Sequence, residues 1–218
     1  MIRTILFDLD DTLYPRSAGI MVEIRRLILD YIQNKFELSP EESDALRHEY
    51  LHTYGTTMRG LQVNHGIDPD EYLRHVHDIP LHEYLRPNPE LDAALAAIRQ
   101  EMIVFTNASR EHAERVLEAL GIRQHLCRIV DIRDMAYESK PQPSAYRRIC
   151  ELLGADPEEC MLVEDNTRNL CPAKEIGMRT VLVGDGSQSG HRCVDYAIER
   201  IEEIGRVLAE LVGGDASP

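Results

Sequence analysis

Three carboxylates close one apolar run, in Phe7-Asp8-Leu9-Asp10-Asp11-Thr12. In an open parallel sheet the carboxyl end of a buried strand is where ligands bind, so acids placed there can hold a hard cation or exchange protons with a substrate. An Asp-rich turn can equally be a solvated loop or a helix cap. A calcium loop of the EF-hand kind is excluded, because with Asp8 as its first position Leu13 stands where Gly is required and Gly19 where Glu is required.

Three further features are predicted on the same edge. A second apolar run ends in Thr106-Asn107-Ala108-Ser109 directly before a helical pattern, which puts a hydroxyl and free helix N–H groups where a phosphate could sit. Lys140, one of only three lysines with Lys35 and Lys174, lies in the rigid stretch Lys140-Pro141-Gln142-Pro143 at another helix start. A further run ends in Glu164-Asp165-Asn166, a second acidic cluster. Singly, Thr106 reads as a cap, Lys140 as a loop cation and Asp165 as a cap for the helix near Leu170; jointly they define one edge.

The elements that must position them are short apolar runs at Thr4 to Leu9, Met102 to Thr106, Arg128 to Asp131, Met161 to Glu164 and Thr180 to Val183. These read as strands buried on both faces, alternating with helices, so the expected fold is α/β with a doubly wound, Rossmann-like parallel sheet. Helix signals include Asn88-Pro89 and Asp156-Pro157 at starts and Gly121, Gly154 and Gly177 after ends. About 90 residues separate the first two strands, far more than a crossover needs. That interval is helical in pattern, with an apolar stripe at Ile20, Ile24, Leu27, Ile28 and Tyr31, a capping box at Ser39-Pro40-Glu41-Glu42, and a helix opening at Asp68-Pro69. The expected division is a core of residues 1–15 and 87–218 with an inserted all-helical cap at 16–86, and a frayed tail from Gly213 to Pro218.

The chain of 218 residues carries 24 Lys and Arg against 38 Asp and Glu, a net charge of -14. This argues against nucleic acid polymers and anionic membranes as partners, since both require clustered positive charge. No apolar run reaches the length of a membrane helix and the start lacks a signal-peptide pattern, so a cytoplasmic location is expected. The five cysteines (Cys127, Cys150, Cys160, Cys171, Cys193) are odd in number and form no CxxC pair. They predict neither a disulfide framework nor a thiolate metal site. Lys174, near a helix end, reads as an ordinary surface cation.

In order and on successive strand ends, Asp8-x-Asp10-x-Thr12, Thr106, Lys140 and Glu164-Asp165 resemble the four motifs of the haloacid dehalogenase superfamily of phosphatases, and the helical insertion resembles its C1 cap. Asp11-Thr12-Leu13-Tyr14-Pro15, Tyr54-Gly55 to Arg59-Gly60-Leu61, Pro80-Leu81 to Leu85-Arg86-Pro87, and Phe105-Thr106-Asn107-Ala108 with His112-Ala113 are similar to its pyrimidine 5'-nucleotidase branch. The resemblance implies a phosphomonoester hydrolase in which Asp8 is the nucleophile and forms an aspartyl-phosphate, and Asp10 is the acid and then the base. Thr106, Lys140 and the Asn107 backbone N–H would hold the phosphoryl group. Asp8, the Asp10 carbonyl, Asp165 and, directly or through water, Glu164 would hold Mg2+. Charge supports the cation, since Asp8, Asp10, Glu164 and Asp165 outnumber the single positive charge of Lys140 in a crevice that must accept a dianion. Among crowded carboxylates one pKa should rise, and Asp10 is the expected holder of that proton. Tyr14, Tyr54, Met58, Arg59 and His65 are the candidates for contacting a nucleotide's base or ribose, with packing the competing role for Tyr54 and Met58. The implied substrates are UMP and CMP. A phosphoglycolate phosphatase or a beta-phosphoglucomutase-like enzyme is the neighbouring alternative.

One competing pattern stands apart. His48-Glu49-Tyr50-Leu51-His52 matches the H-E-x-x-H of zinc peptidases. Six of the nine histidines fall between His48 and His82, which raises the odds of a chance match, and Met58 stands where the extended motif needs a third His. Exposed surface histidines are the plainer account.

Overall fold

The computed structural model describes residues 1–214. Six strands, β1 (Thr4–Phe7), β2 (Glu101–Phe105), β3 (Arg128–Val130), β4 (Cys160–Glu164), β5 (Arg179–Val183) and β6 (Tyr196–Ile198), form one parallel sheet in the order β3-β2-β1-β4-β5-β6. The continuous apolar runs have a direct cause. Ile5 and Phe7 pack into one buried cluster and Leu6 into the other; Met161 and Val163 divide from Leu162 in the same way. With side chains alternating between faces and helices covering both, every position must be apolar. The sixth strand, only three residues at the sheet edge and mostly half-buried, lacks that signature and was not foreseen.

From β1 the chain proceeds outward to β2 and β3, then returns to place β4 on the other side of β1. The carboxyl ends of β1 and β4 thus flank the topological switch point, where an open sheet leaves a crevice. β1 stops at Phe7, so Asp8 is the first residue beyond it, although its N–H still bonds to the Val163 carbonyl at 3.0 Å.

Of the six α-helices between β1 and β2, the first five are α1 (Ile20–Phe36), α2 (Pro40–Tyr54), α3 (Thr57–His65), α4 (Pro69–Val76) and α5 (Leu81–Tyr84). The Ser39/Glu42 capping box and the Asp68 cap form as expected. Along α1, Ile20, Ile24, Leu27, Tyr31 and Ile32 are buried, while Ile28 is half-buried. Two glycines fix the close approaches. A Cβ on Gly60 would lie 2.3 Å from the Tyr50 ring, so only Gly lets α3 pack against α2. Gly55, at φ +85°, seats the α2–α3 turn on a loop of the sheet region, where a Cβ would meet Ser139 Oγ at 3.0 Å. Further ties are Arg168 Nη2 donating to the Leu51 carbonyl (3.0 Å) and the Arg133–Asp70 ion pair (2.7 Å).

The remaining helices are α6 (Pro89–Ala96), α7 (Arg110–Leu120), α8 (Pro143–Leu153), α9 (Thr167–Glu175) and α10 (Ile204–Gly214). Asn88 caps α6, and Gly121 and Gly154 end α7 and α8 in the left-handed region. Asn166, not Asp165, caps α9, which leaves the Asp165 carboxylate for other partners. The predicted frayed tail is corrected at its start, since α10 extends through Gly213 and Gly214; the rest of it lies outside the described residues. The cysteine expectation is also corrected. Cys171 on α9 and Cys193, in the loop before β6, form a disulfide across a Cα separation of 4.8 Å. A sequence separation of 22 carries no pairing signature, and only the return of the chain past α9 brings the two together. Lys174 is likewise no free surface cation, being ion-paired to Asp195, which in turn accepts from Thr180. No helix among the described residues is long and apolar enough to cross a membrane.

Candidate active site

The strand ends bring Asp8, Lys140 and Glu164 into one buried group. Lys140 Nζ lies 2.7 Å from Asp8 Oδ1 and 3.2 Å from Glu164 Oε1, with the lysine 1% and the glutamate 0% exposed. Asn107 at the end of β2 holds the lysine's main chain in both directions: its amide donates to the Lys140 carbonyl (3.0 Å) and accepts from the Lys140 N–H (2.8 Å). The Asn107 side chain therefore places the loop that the sequence marked only by its prolines. Thr12 donates to Asp8 Oδ2 at 3.0 Å. Thr106 is buried, and its hydroxyl oxygen accepts from the Ala108 N–H, an arrangement that turns the chain into the Ser109-capped start of α7.

Asp8, Glu164 and Asp165 offer carboxylate oxygens that all lie within 4.8 Å of one another. Hard oxygen donors gathered at a switch point fit a Mg2+-like cation, and Asp11 adds a buried oxygen, Oδ1, with no hydrogen-bond partner. Glu164 is the most committed of the set, because Lys140 and Asn169 donate to Oε1 and the Asn166 N–H donates to Oε2. Asp165 meets Arg16, whose Nη2 lies 2.6 Å away, an interaction that no local pattern around residue 16 signals.

The proton affinities follow from this crowding. Burial pushes the Asp8 carboxyl up, further than Lys140 can pull it down, with Asp165 adding to the rise. Glu164 is raised to about 8, first by burial and then by Asp8. Asp11, at φ +61°, is raised to about 7 by burial and by Asp165. Burial works against the Lys140 ammonium, yet Asp8 and Glu164 together hold its pKa above the ordinary value.

Asp10 behaves oppositely, and the expected rise of its pKa is corrected. Burial is the largest single influence and would raise it, but His112 by charge and hydrogen bond, together with Tyr14, brings its pKa below the ordinary carboxylate value. His112 Nε2 lies 2.9 Å and Tyr14 OH 2.5 Å from Asp10 Oδ1. His112 was named only within a likeness; the available signal was its place in the first turn of the helix that follows Thr106.

The candidate substrate contacts divide. Tyr14 is in the site, bonded to Asp10. Arg59 reaches Gln62 and comes to 4.0 Å from Glu138, beside the Lys140 loop, and Tyr54 bonds to Asn64 next to the Gly55 turn. His65 is taken up by Tyr50 OH (2.7 Å) and by Phe36, and Met58 is buried in the apolar cluster, so both belong to packing. A cleft of about 760 Å³ borders the acidic cluster through Asp11, Tyr14, Arg16 and Asp165, and none of Tyr54, Met58, Arg59 or His65 lines it. His48 and His52 are exposed with stacked rings 6.3 Å apart, and neither joins a three-ligand cluster among the described residues.

A family model for haloacid dehalogenase-like hydrolases matches residues 2–177. Phosphate metabolism protein 8 of Saccharomyces cerevisiae is 24% identical over 90% of this chain, which spans only 64% of that protein's length. Glyceraldehyde 3-phosphate phosphatase of Methanopyrus kandleri is 27% identical over 97% of this chain and 99% of its own. In three dimensions the haloacid dehalogenase-type hydrolase YfnB of Bacillus subtilis, solved with bound magnesium, matches with a TM-score of 0.63 at 17% identity, covering 95% of this chain and 99% of that one. The chain belongs to the haloacid dehalogenase-like hydrolase family.

Proposed function

We propose that this hydrolase is a Mg2+-dependent phosphatase that cleaves small phosphomonoesters through an aspartyl-phosphate on Asp8, with residues 16–86 acting as a cap over the core formed by 1–15 and 87–218. The observation that carries this reading is the buried Lys140 bridging Asp8 and Glu164 beside Asp165. An Asp8 carboxylate oxygen attacks phosphorus while the bond to the leaving oxygen breaks, and Asp10 gives that oxygen a proton. Water then attacks the acyl phosphate and gives its proton to Asp10, releasing inorganic phosphate and restoring Asp8. Lys140 and Thr106 hold the equatorial oxygens, and Lys140 also steadies the ionised nucleophile. Asp8, Asp165, the Asp10 carbonyl and Glu164 would hold Mg2+, which supplies the charge neutralisation that one lysine cannot.

For the substrate, the likeness of the stretch from Tyr54 to Leu61 to pyrimidine 5'-nucleotidases favours UMP and CMP, and its turn rests on the Lys140 loop with Arg59 alongside. A purine would need more room under the same turn. A second reading, a small triose phosphate or phosphoglycolate, is favoured by the near full-length likeness to an archaeal glyceraldehyde 3-phosphate phosphatase. The test is phosphate release with Mg2+ and with a chelator, across UMP, CMP, AMP, GMP, glyceraldehyde 3-phosphate and phosphoglycolate. Higher kcat/KM for UMP and CMP, lost selectively in Arg59→Ala, is the expected result. Preference for the small phosphates rejects the nucleotide assignment, and release unaffected by chelation rejects the metal-dependent mechanism.

A further inference from the structure

His112 has a side chain that is 0% exposed, and its single polar side-chain contact among the described residues is to Asp10. Since a carboxylate oxygen only accepts, Nε2 carries the hydrogen and donates it. The other ring nitrogen, Nδ1, is buried without a partner. A histidine kept only for packing would be a poor choice here, because an unpaired buried polar atom costs stability that Leu or Phe would avoid. The imidazole is explained by what it does to Asp10.

Both donors to Asp10, His112 and Tyr14, converge on Oδ1, which leaves Oδ2 as the oxygen free to meet a substrate. The imidazole plane is in turn fixed from the helical segment. The His77 ring stacks on it at a centroid distance of 4.3 Å and an interplanar angle of 17°. His77 Nδ1 is 3.0 Å from Ser109 Oγ, the same hydroxyl that accepts the His112 N–H at the start of α7. Arg115, on α7, donates to the carbonyls of His77 and Ile79, which pins that end of the segment to the helix.

We propose that His112 is a positioning residue for Asp10, and that the His77 stack makes the orientation of the acid depend on how the end of the helical segment seats on α7. This rests on the phosphatase reading, in which Asp10 protonates the leaving oxygen. A positioned acid matters for a poor leaving group and little for a good one. The experiment therefore compares an alkyl phosphomonoester, glycerol 2-phosphate, with p-nitrophenyl phosphate in the Mg2+-loaded enzyme.

His112→Leu should lower kcat on the alkyl ester about a hundredfold and on the nitrophenyl ester by no more than about fivefold. His112→Gln, whose amide can donate from near the Nε2 position, should recover most of the loss. In an Asp10→Asn background His112→Leu should add less than about twofold, since a residue acting through another has nothing left to act on. If His112→Leu does not fold, His77→Ala against His77→Phe asks the same question from outside the site, with the alkyl-ester loss expected only where the aromatic stack is removed. Equal losses on the two esters, or additive losses with Asp10→Asn, would overturn the positioning role while leaving the phosphatase standing. A wild-type enzyme that releases phosphate from neither ester would overturn the phosphatase reading, and this one with it.

Discussion

Asp8 and Asp10 leave the same strand two residues apart and both are shielded from water, yet their carboxyls are displaced in opposite directions. Around Asp8 the neighbours are mainly other acids, with Glu164 and Asp165 on the facing strand end and Lys140 as the one close cation. Around Asp10 the neighbours are donors, His112 and Tyr14, backed by the stacked His77. Past Phe7 the chain leaves β1 and turns, so the two side chains meet different surroundings, and the partner set rather than burial decides the sign. The acid side of this crevice gathers carboxylate oxygens that would suit a cation, whereas the donor side meets Asp10 with groups of the chain itself.

The sharpest way to break the Asp8 side is Asp8→Asn, which keeps the shape and removes the proposed nucleophile. Turnover should fall about a thousandfold or more while the circular dichroism spectrum is retained, and near wild-type turnover would reject covalent catalysis. Lys140→Ala comes next, with an expected loss of about a hundredfold in kcat. Lys35→Ala is its comparison, because Lys35 makes an exposed pair with Glu71 and lies over the Tyr31 ring, away from the acidic cluster, and should leave activity unchanged. Equal effects from the two lysines would mean that Lys140 does not serve the reacting groups.

The donor side can be probed without chemistry. Burial, with His112 adding to it, holds His77 down to about 3 from an ordinary 6.5. Between those values the unfolded chain binds a proton that the folded one does not, so this residue's contribution is present above pH 6.5 and is lost as pH falls through the window. His77→Phe keeps an aromatic ring and removes the titration. Its urea-derived stability should decline less steeply than wild type between pH 6 and pH 5, by up to about 1.4 kcal/mol per pH unit. Parallel curves would show that His77 is not held neutral. The smallest effect is expected from Thr12→Val, which deletes one hydrogen bond to Asp8 and should cost about 1 kcal/mol in stability or an equivalent fraction of rate.

Much of this site was legible because parallel strands buried on both faces announce themselves as apolar runs, and the residues just past those runs must share one edge. Asp8, Thr106, Glu164 and Asp165 are legible that way, and Lys140 by the scarcity of lysine and the prolines beside it. Helix ends were legible for a similarly local reason: Ser39, Asp68 and Asn88 cap through their own following backbone N–H groups. Arg16, His77, His112 and Asn169 left no such mark, since each acts on a partner brought close by the fold and not by its neighbours in the chain. The Cys171–Cys193 pair and the role of Asn107 on the Lys140 main chain belong to the same class.

Composition, periodicity and motif order were enough for an α/β fold with a helical segment between the first two strands and a carboxylate-rich edge, because these depend on local pattern and on the short reach of strand ends. What only the tertiary structure decided was which oxygen of which acid meets which donor. That is why the upward displacement expected at Asp10 falls on Asp8, Asp11 and Glu164 instead. Electrostatic influence depends on separations of a few ångströms between residues as far apart in the chain as Asp10 and His112, and no spacing in the sequence encodes that distance.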